Sequence, residues 1–272
     1  MISGTNTELT YGLEGVVVDP TGEIYVASGF TSAILGIAPN SNGNVVPNIS
    51  ISGSNTGLGF PTGLALDATG NLYVANQGTT GPSSIEEFAA GSNGNVAPLR
   101  TIAGKRTAFT NPSGITVDAG GDIYLVDQSL GKILVFDSGA AGNAWPRRII
   151  TGPSTQQVYG LAVDALGIYA ATYEAKPYLE RFALGASGDA RPRARIRGKA
   201  TQLTPYFDGL AAASDGSIYV VDRGTVNGGH PLPSIVQFSG DAKGNIPPLT
   251  DITGPDTRLS IPLFVCVGQQ PS

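Results

Sequence analysis

One cysteine, one histidine, one methionine and one tryptophan are all that 272 residues contain of these four types, and the scarcity excludes a good deal. With Cys266 alone, no disulfide can close within the chain and no multi-cysteine metal site can be built. With His230 alone there is no histidine metal cluster. No GxSxG elbow accompanies it to make a nucleophile and base. Charged residues are 14% of the chain and the net charge is −5, which leaves no general affinity for polyanions; nucleic acid is not an expected partner. No apolar run is long enough to span a bilayer, so no membrane insertion is expected. No basic, apolar leader follows Met1 in this chain. Five lysines and turns rich in Ser, Thr, Asn and Gly suit an extracytoplasmic protein, whether periplasmic, surface-bound or secreted.

What the chain has in abundance is glycine, 38 residues of it, and internal repetition. Five segments align: GVVVDPTGEIYVAS (15–28), GLALDATGNLYVAN (63–76), GITVDAGGDIYLVD (114–127), GLAVDALGIYAAT (160–172) and GLAAASDGSIYVVD (209–222). Each reads as an apolar run, a turn, and a second apolar run centred on Tyr25, Tyr73, Tyr124, Tyr169 or Tyr219. Short Val/Ile/Tyr-rich runs bounded by Asp and Gly predict buried strands, here a hairpin of strands A and B. The intervening DxxG supplies the turn, with Asp bonding forward to backbone.

A second, twenty-residue block follows each hairpin: ILGIAPNSNGNVVPNISISG (34–53), then 85–104, 133–152, 179–198 and 235–254, all without a gap. Its opening residues predict strand C with an inward anchor at Ile37, Phe88, Phe136, Phe182 or Phe238. A turn glycine recurs at Gly43, Gly94, Gly142, Gly188 and Gly244, and a proline at Pro47, Pro98, Pro146, Pro192 and Pro248. Proline cannot donate to a central ladder, so it marks entry into an outer strand D. Strings such as GSNGNVAPLRTIAG (91–104) are therefore turn chemistry between C and D.

Four antiparallel strands in about 50 residues, repeated without helix, form the sheet unit of a β-propeller. The pattern PxGhxhDxxGxhYVxN, with h apolar, followed by IxxF, resembles that of the NHL-repeat propellers over nearly the whole chain. That resemblance implies the fold; such propellers serve as sensors, binding platforms and, in relatives, enzymes. A single propeller domain, residues 1–272, is expected, with repeats at 11–59, 60–110, 111–157, 158–204 and 205–257. Residues 1–10 resemble the end of a D strand, and IPLFVCVG (261–268), within the partial segment 258–272, resembles an A strand. The favoured architecture is six blades, the sixth split across the termini and incomplete; five blades with spare termini is the alternative. An unpaired A strand exposes backbone donors and invites self-association by strand addition.

In such a meander the A–B and C–D turns lie at one end of each blade, and the B–C and D–A connections at the other. The B–C loops differ from repeat to repeat: GFTSA, QGTTGPSS, QSLGK, YEAKPY and RGTVNGGHPLPS. Variable loops on a rigid scaffold are where specific binding is expected. Tyr173, Glu174, Lys176 and Tyr178 in one loop, with Arg223 and His230 around another, are the candidate contacts for a protein, peptide or glycan, because aromatic faces stack while charges orient. LEG (13–15) and FDGLAAASDGSIYVV (207–221) resemble the EGP and PDG motifs of the regucalcin/gluconolactonase family. That likeness implies divalent metal, Ca²⁺ or Mg²⁺, on Glu14 and Asp208, and lactone hydrolysis. Thr62, Ser113 and Tyr159 stand where that family has an amide ligand, and Val16 replaces its proline. Streptogramin-lyase-like propellers, also similar in fold, would imply histidine and glutamate around Mg²⁺, which one histidine does not match. In RPRARIRGK (191–199), Arg191, Arg193, Arg195 and Arg197 alternate on one face of a D strand. They form either a stripe for an anionic partner, extended by Trp145, Arg147 and Arg148, or edge protection. The reading is a binding or interaction platform without a required cofactor. A metal-dependent lactonase and a protein assembling through its incomplete blade are the alternatives.

Overall fold

The computed structural model describes residues 1–9, 12–79, 81–172, 177–224, 232–257, 259 and 262–267. They form an all-β fold of the propeller class, with five small sheets as its blades and no helix longer than a single 3₁₀ turn. The first sheet comprises β1 (Leu13–Val18), β2 (Ile24–Ser28), β3 (Ala33–Ile37) and β4 (Ile49–Ile51). The second comprises β5 (Phe60–Leu66), β6 (Leu72–Gln77), β7 (Ser84–Phe88) and β8 (Arg100–Ala103). The third contains β9 (Pro112–Val117), β10 (Ile123–Asp127), β11 (Lys132–Phe136) and β12 (Arg148–Thr151). The fourth contains β13 (Val158–Asp164), β14 (Gly167–Thr172), β15 (Tyr178–Phe182) and β17 (Ala194–Ile196). Its two-residue strand β16 (Gly188–Asp189) pairs in parallel with β12 instead. The fifth contains β18 (Phe207–Ala212), β19 (Ser217–Asp222), β20 (Ser234–Ser239) and β21 (Thr250–Thr253). By contacts the described chain divides into two compact units: residues 1–130 with 134–147, and residues 131–133 with 148–267.

The A–B turns form as their residues dictate. Asp67 Oδ1 accepts the backbone N–H groups of Thr69 and Asn71 at 2.8 and 2.9 Å, and Asp19 and Asp118 repeat the pattern. Tyr124 and Tyr169 donate their hydroxyls to the other oxygen of Asp118 and Asp164, tying the second strand back to its turn. Neighbouring sheets pack face to face. In the first unit, Tyr25, Ile34, Leu64, Val74 and Phe88 fill one interface, and Tyr73, Ile85, Ile115, Leu134 and Phe136 the next. In the second unit, Tyr169, Leu179, Ile218, Val236 and Phe238 do the same. The five expected strand C anchors are all buried. Each such side chain removed from water contributes roughly 1.5–3 kcal/mol.

What joins one sheet to the next inside a unit is the Gly–Asn turn. Ile51 bridges Gly94, Ile102 bridges Gly142 and Ile196 bridges Gly244, all in parallel, and Ile150 pairs with Gly188 in the same way. Gly94 donates to Ser50 O and accepts from Ser52 N. It does so at φ +80°, a left-handed conformation that costs a residue with Cβ about 1–2 kcal/mol. Asn95 Oδ1 then accepts the N–H of Asn55, in a 3₁₀ turn of sequence GxxT at the end of the preceding repeat. Asn143 does this for Arg106 and Asn245 for Ala200.

The termini correct the favoured six-blade reading: the described residues form five sheets. Met1–Thr7 does behave as a D-strand end, since Ile2 bridges Gly43 and Asn44 accepts the N–H of Asn6. Residues 262–267 hold no assigned strand, because no neighbouring strand pairs with them among the described residues. They nevertheless lie where an A strand would. A Cβ at Gly209 of β18 would meet Leu263 O and Val265 N, just as one at Gly15 of β1 would meet Thr62 O and Leu64 N. Residues 10, 258, 260, 261 and 268–272 of the expected partial strands lie outside the described residues. Among the described residues, no helix is long and apolar enough to cross a membrane.

Candidate functional site

A buried polar residue stands at or one short of the end of the second strand of every described sheet: Ser28, Asn76, Asp127, Thr172 and Asp222. A buried polar group must be paired, and pairing fixes whatever it pairs with. Asn76 spends all its capacity on its surroundings. Its Oδ1 accepts from the N–H groups of Gly59 and Phe60 at 2.8 and 3.2 Å. Its Nδ2 donates to Gly57 O and Ser84 Oγ, both at 3.0 Å. Asp127 and Asp222 likewise accept from the backbone of Asn111 and Thr204. In the second, third and fifth sheets this position thus pins the D–A connection onto the B–C end of the same sheet, whereas Ser28 and Thr172 bond to Thr31 and Tyr178 on the B–C side.

In the first unit that face opens into a cavity of about 410 Å³. Gly53, Ser54 and Gly57–Gly59 of the D–A connection form one wall and Gly78, Thr79, Gly81 and Pro82 another; Ser84 and Glu86 of β7 and Thr101 of β8 form the floor. Glu86 is 97% buried, with only 3% of its surface exposed. Ser84 Oγ donates to Glu86 Oε1 at 2.7 Å, and Thr101 Oγ1 donates to Oε2. Burial pushes the Glu86 carboxyl above its ordinary 4.5, and the two hydroxyl bonds only partly offset this. The chain Asn76–Ser84–Glu86 therefore holds a carboxyl group in one orientation at the base of a polar, glycine-walled pocket. Such a group receives a hydrogen-bond donor or a cation from a ligand. It has no second titratable group within its own hydrogen-bond network to act with.

Glu86 was not among the sequence candidates, although the repeats carried a signal. Its counterparts in strand C are Leu35, Leu134, Glu180 and Val236, so a carboxylate there breaks an apolar position. The second exception, Glu180, is fully buried and bound by Arg195, whose guanidinium lies 4.5 Å above the Tyr178 ring. Two candidates have partners here: Tyr178 is a buried residue at the start of β15 under a cation, and Arg195 pairs with buried Glu180 while part of its side chain stays exposed. Arg191, Arg193 and Arg197 are exposed around it.

The remaining candidates are dispersed. Tyr173, Glu174, Lys176 and His230 lie outside the described residues. Arg223 follows β19, half-buried, its N–H bonded to Tyr206 O. Glu14 stands on β1, half-buried, with its carboxyl raised by desolvation; Asp208 belongs to β18, but its side chain is outside the description. Among the described residues no three His, Cys, Asp or Glu side chains gather as a metal would require. Cys266 is half-buried and its thiol is pushed up by that burial. Exposed aromatics also mark the variable face: Phe30 in the first unit, edge-on to Phe60 at 5.5 Å, and Tyr159 and Tyr206 in the second.

No protein-family model matches the chain, and no curated protein matches it. Solved structures do. A protein of unknown function from Bacteroides caccae superposes with TM-score 0.66 at 16% identity, over 95% of this chain and 88% of that one. A chain of a nidogen/laminin complex gives 0.63 at 16% identity, over 93% and 84%. The PQQ-bound aldose sugar dehydrogenase of Streptomyces coelicolor gives 0.60 at 18%, over 97% and 87%. At such identities the likeness is one of fold, the β-propeller.

Proposed function

We propose that this protein is a non-catalytic binding module that takes its ligand on the face made by the B–C and D–A connections, with the Glu86 cavity as the anchoring point. The observation that carries this reading is the cavity itself. It is bounded by two connections of that face and floored by a buried carboxyl that two hydroxyls hold in place. Its volume falls in the range of small-ligand sites. The chemistry selects a peptide or glycan segment that presents an amine or hydroxyl donors, with exposed Phe30, edge-on to Phe60 next to the wall residue Gly59, as a stacking surface on the same face. That a fold neighbour occurs in a complex of two proteins agrees with a binding role and goes no further.

Glycan and peptide arrays probed with the intact protein, followed by calorimetry on the hits, test this. Hydrogen bonds to a charged group are worth about 1.5–3 kcal/mol, so Glu86→Gln should weaken a true ligand roughly 10- to 100-fold. Empty arrays, or hits indifferent to Glu86→Gln, would remove the reading.

A further inference from the structure

Six D-strand ends in this chain carry the same GxxT turn: Gly4–Thr7, Gly53–Thr56, Gly104–Thr107, Gly152–Thr155, Gly198–Thr201 and Gly254–Thr257. In each the threonine hydroxyl donates to the glycine carbonyl, including Thr257 to Gly254 at 2.7 Å. Among the described residues, five C–D turns of sequence Gly–Asn or Gly–Asp receive such ends, at 43–44, 94–95, 142–143, 188–189 and 244–245. The first five ends are received: a Cβ added at Gly4, Gly53, Gly104, Gly152 or Gly198 would strike Asn44, Asn95, Asn143, Asp189 or Asn245. At Gly254 it would meet nothing within 4 Å among the described residues. The isoleucine two residues before each glycine agrees. Ile51, Ile102, Ile150 and Ile196 are at most 4% exposed, whereas Ile252 is 46% exposed on a strand β21 that is exposed throughout.

The fifth sheet is therefore built for a following turn. The first sheet's turn does not serve, since Met1–Thr7 already fills Gly43–Asn44. On the inner edge of the same sheet, Leu263–Val265 lies against Gly209 as a following first strand would, with no strand paired to it among the described residues. What fits between an in-place first strand and an open GxxT end is a two-stranded hairpin that finishes in a Gly–Asn turn.

We infer that β21, Gly254–Thr257 and residues 262–267 form an interaction surface that captures such a β-hairpin from a partner polypeptide of the same repeat chemistry. Its recognition rests on three contacts: strand addition to residues 262–267, cover over Ile252, and an asparagine carbonyl accepting the N–H of Asp256. The last follows from the register, since Asn6, Asn55, Arg106 and Ala200 are the corresponding donors in the filled turns. This surface is independent of the Glu86 cavity.

A synthetic peptide copying residues 71–96 supplies two strands and the turn in one piece. Added to the intact protein, it should bind one to one and raise the melting temperature. The Asn95→Ala peptide should bind about tenfold more weakly, the worth of one well-made hydrogen bond in a partly dry site. Ile252→Asp in the protein should abolish binding with only a small change in its own melting, because about half of Ile252 is already exposed. Should the free peptide aggregate, the same segment fused after Ser272 through a flexible linker reports the same differences as melting shifts. No binding in either format, or binding indifferent to both substitutions, overturns the inference. A concentration-dependent dimer that Ile252→Asp dissolves would assign the face to a second copy and overturn the hairpin as its occupant.

Discussion

Glu86 carries its chemistry in the cost of its charge. Its folded pKa lies above its ordinary 4.5, so ionising it is harder in the native protein than in the unfolded chain. Its contribution to stability is then fully present below pH 4.5 and is lost as pH rises through the raised value. Glu86→Gln has no such charge. Measured by urea unfolding at pH 4, 5.5 and 7, the stability of the variant relative to the parent should climb with pH. A difference flat across that range would mean that the carboxyl is solvated. The residue scale is also where the sequence was hardest to read. Glu86 and Glu180 interrupt an apolar column, which was visible, but their partners Thr101 and Arg195 stand 15 residues downstream, on another strand. Period-two alternation put Arg195 on a face with Arg193 and Arg197, yet it could not say that a buried glutamate waits on the adjacent strand.

At the scale of the element, the C–D turn is the unit that joins sheets. Asn95 lends its side-chain carbonyl to Asn55 across 2.8 Å at the surface, so Asn95→Ala should cost about 1 kcal/mol, seen as a lower urea midpoint with an unchanged m-value. Gly94→Ala should cost a further 1–2 kcal/mol through its φ of +80° alone, since space is open there. Stability equal to the parent in both variants would mean that the turn is not a joint. Strands, turns and anchors were legible because each is written in local residues and repeated five times. The bond from Asn95 to Asn55 was not, because it spans 40 positions and looks from the sequence like an ordinary turn asparagine. The same limit explains the termini: a repeat count reveals half-motifs such as ISGTNT and IPLFVCVG, but not whether a sheet forms around them.

At the scale of the molecule, the fold class followed from the repeat, while the favoured sixth blade gives way to five sheets with a partly built edge at each end. The N-terminal edge has a measurable role. Residues 1–7 give Gly43 two backbone hydrogen bonds, place Asn6 on Asn44, and put the terminal amino group on Asn42. Their deletion should lower the melting temperature by roughly 4–8 °C. That corresponds to about 2 kcal/mol at 2–4 °C per kcal/mol, the scaling for domains of 150–250 residues. Unchanged melting would show that the segment is only laid on the surface. The candidate binding face was predicted from loop variability, and the Glu86 cavity opens between two connections of that face, though the side chains nominated for it were others.

The glycine–asparagine joint is written in nearly the same letters at every seam, and that has a consequence for how such a chain can change. A seam that accepts any neighbour imposes no order on its modules, so whole repeats can be exchanged, duplicated or lost by recombination without inventing a new contact. Under the proposed binding role, the loops, strand residues and connection around a cavity would then travel together with the module that carries them.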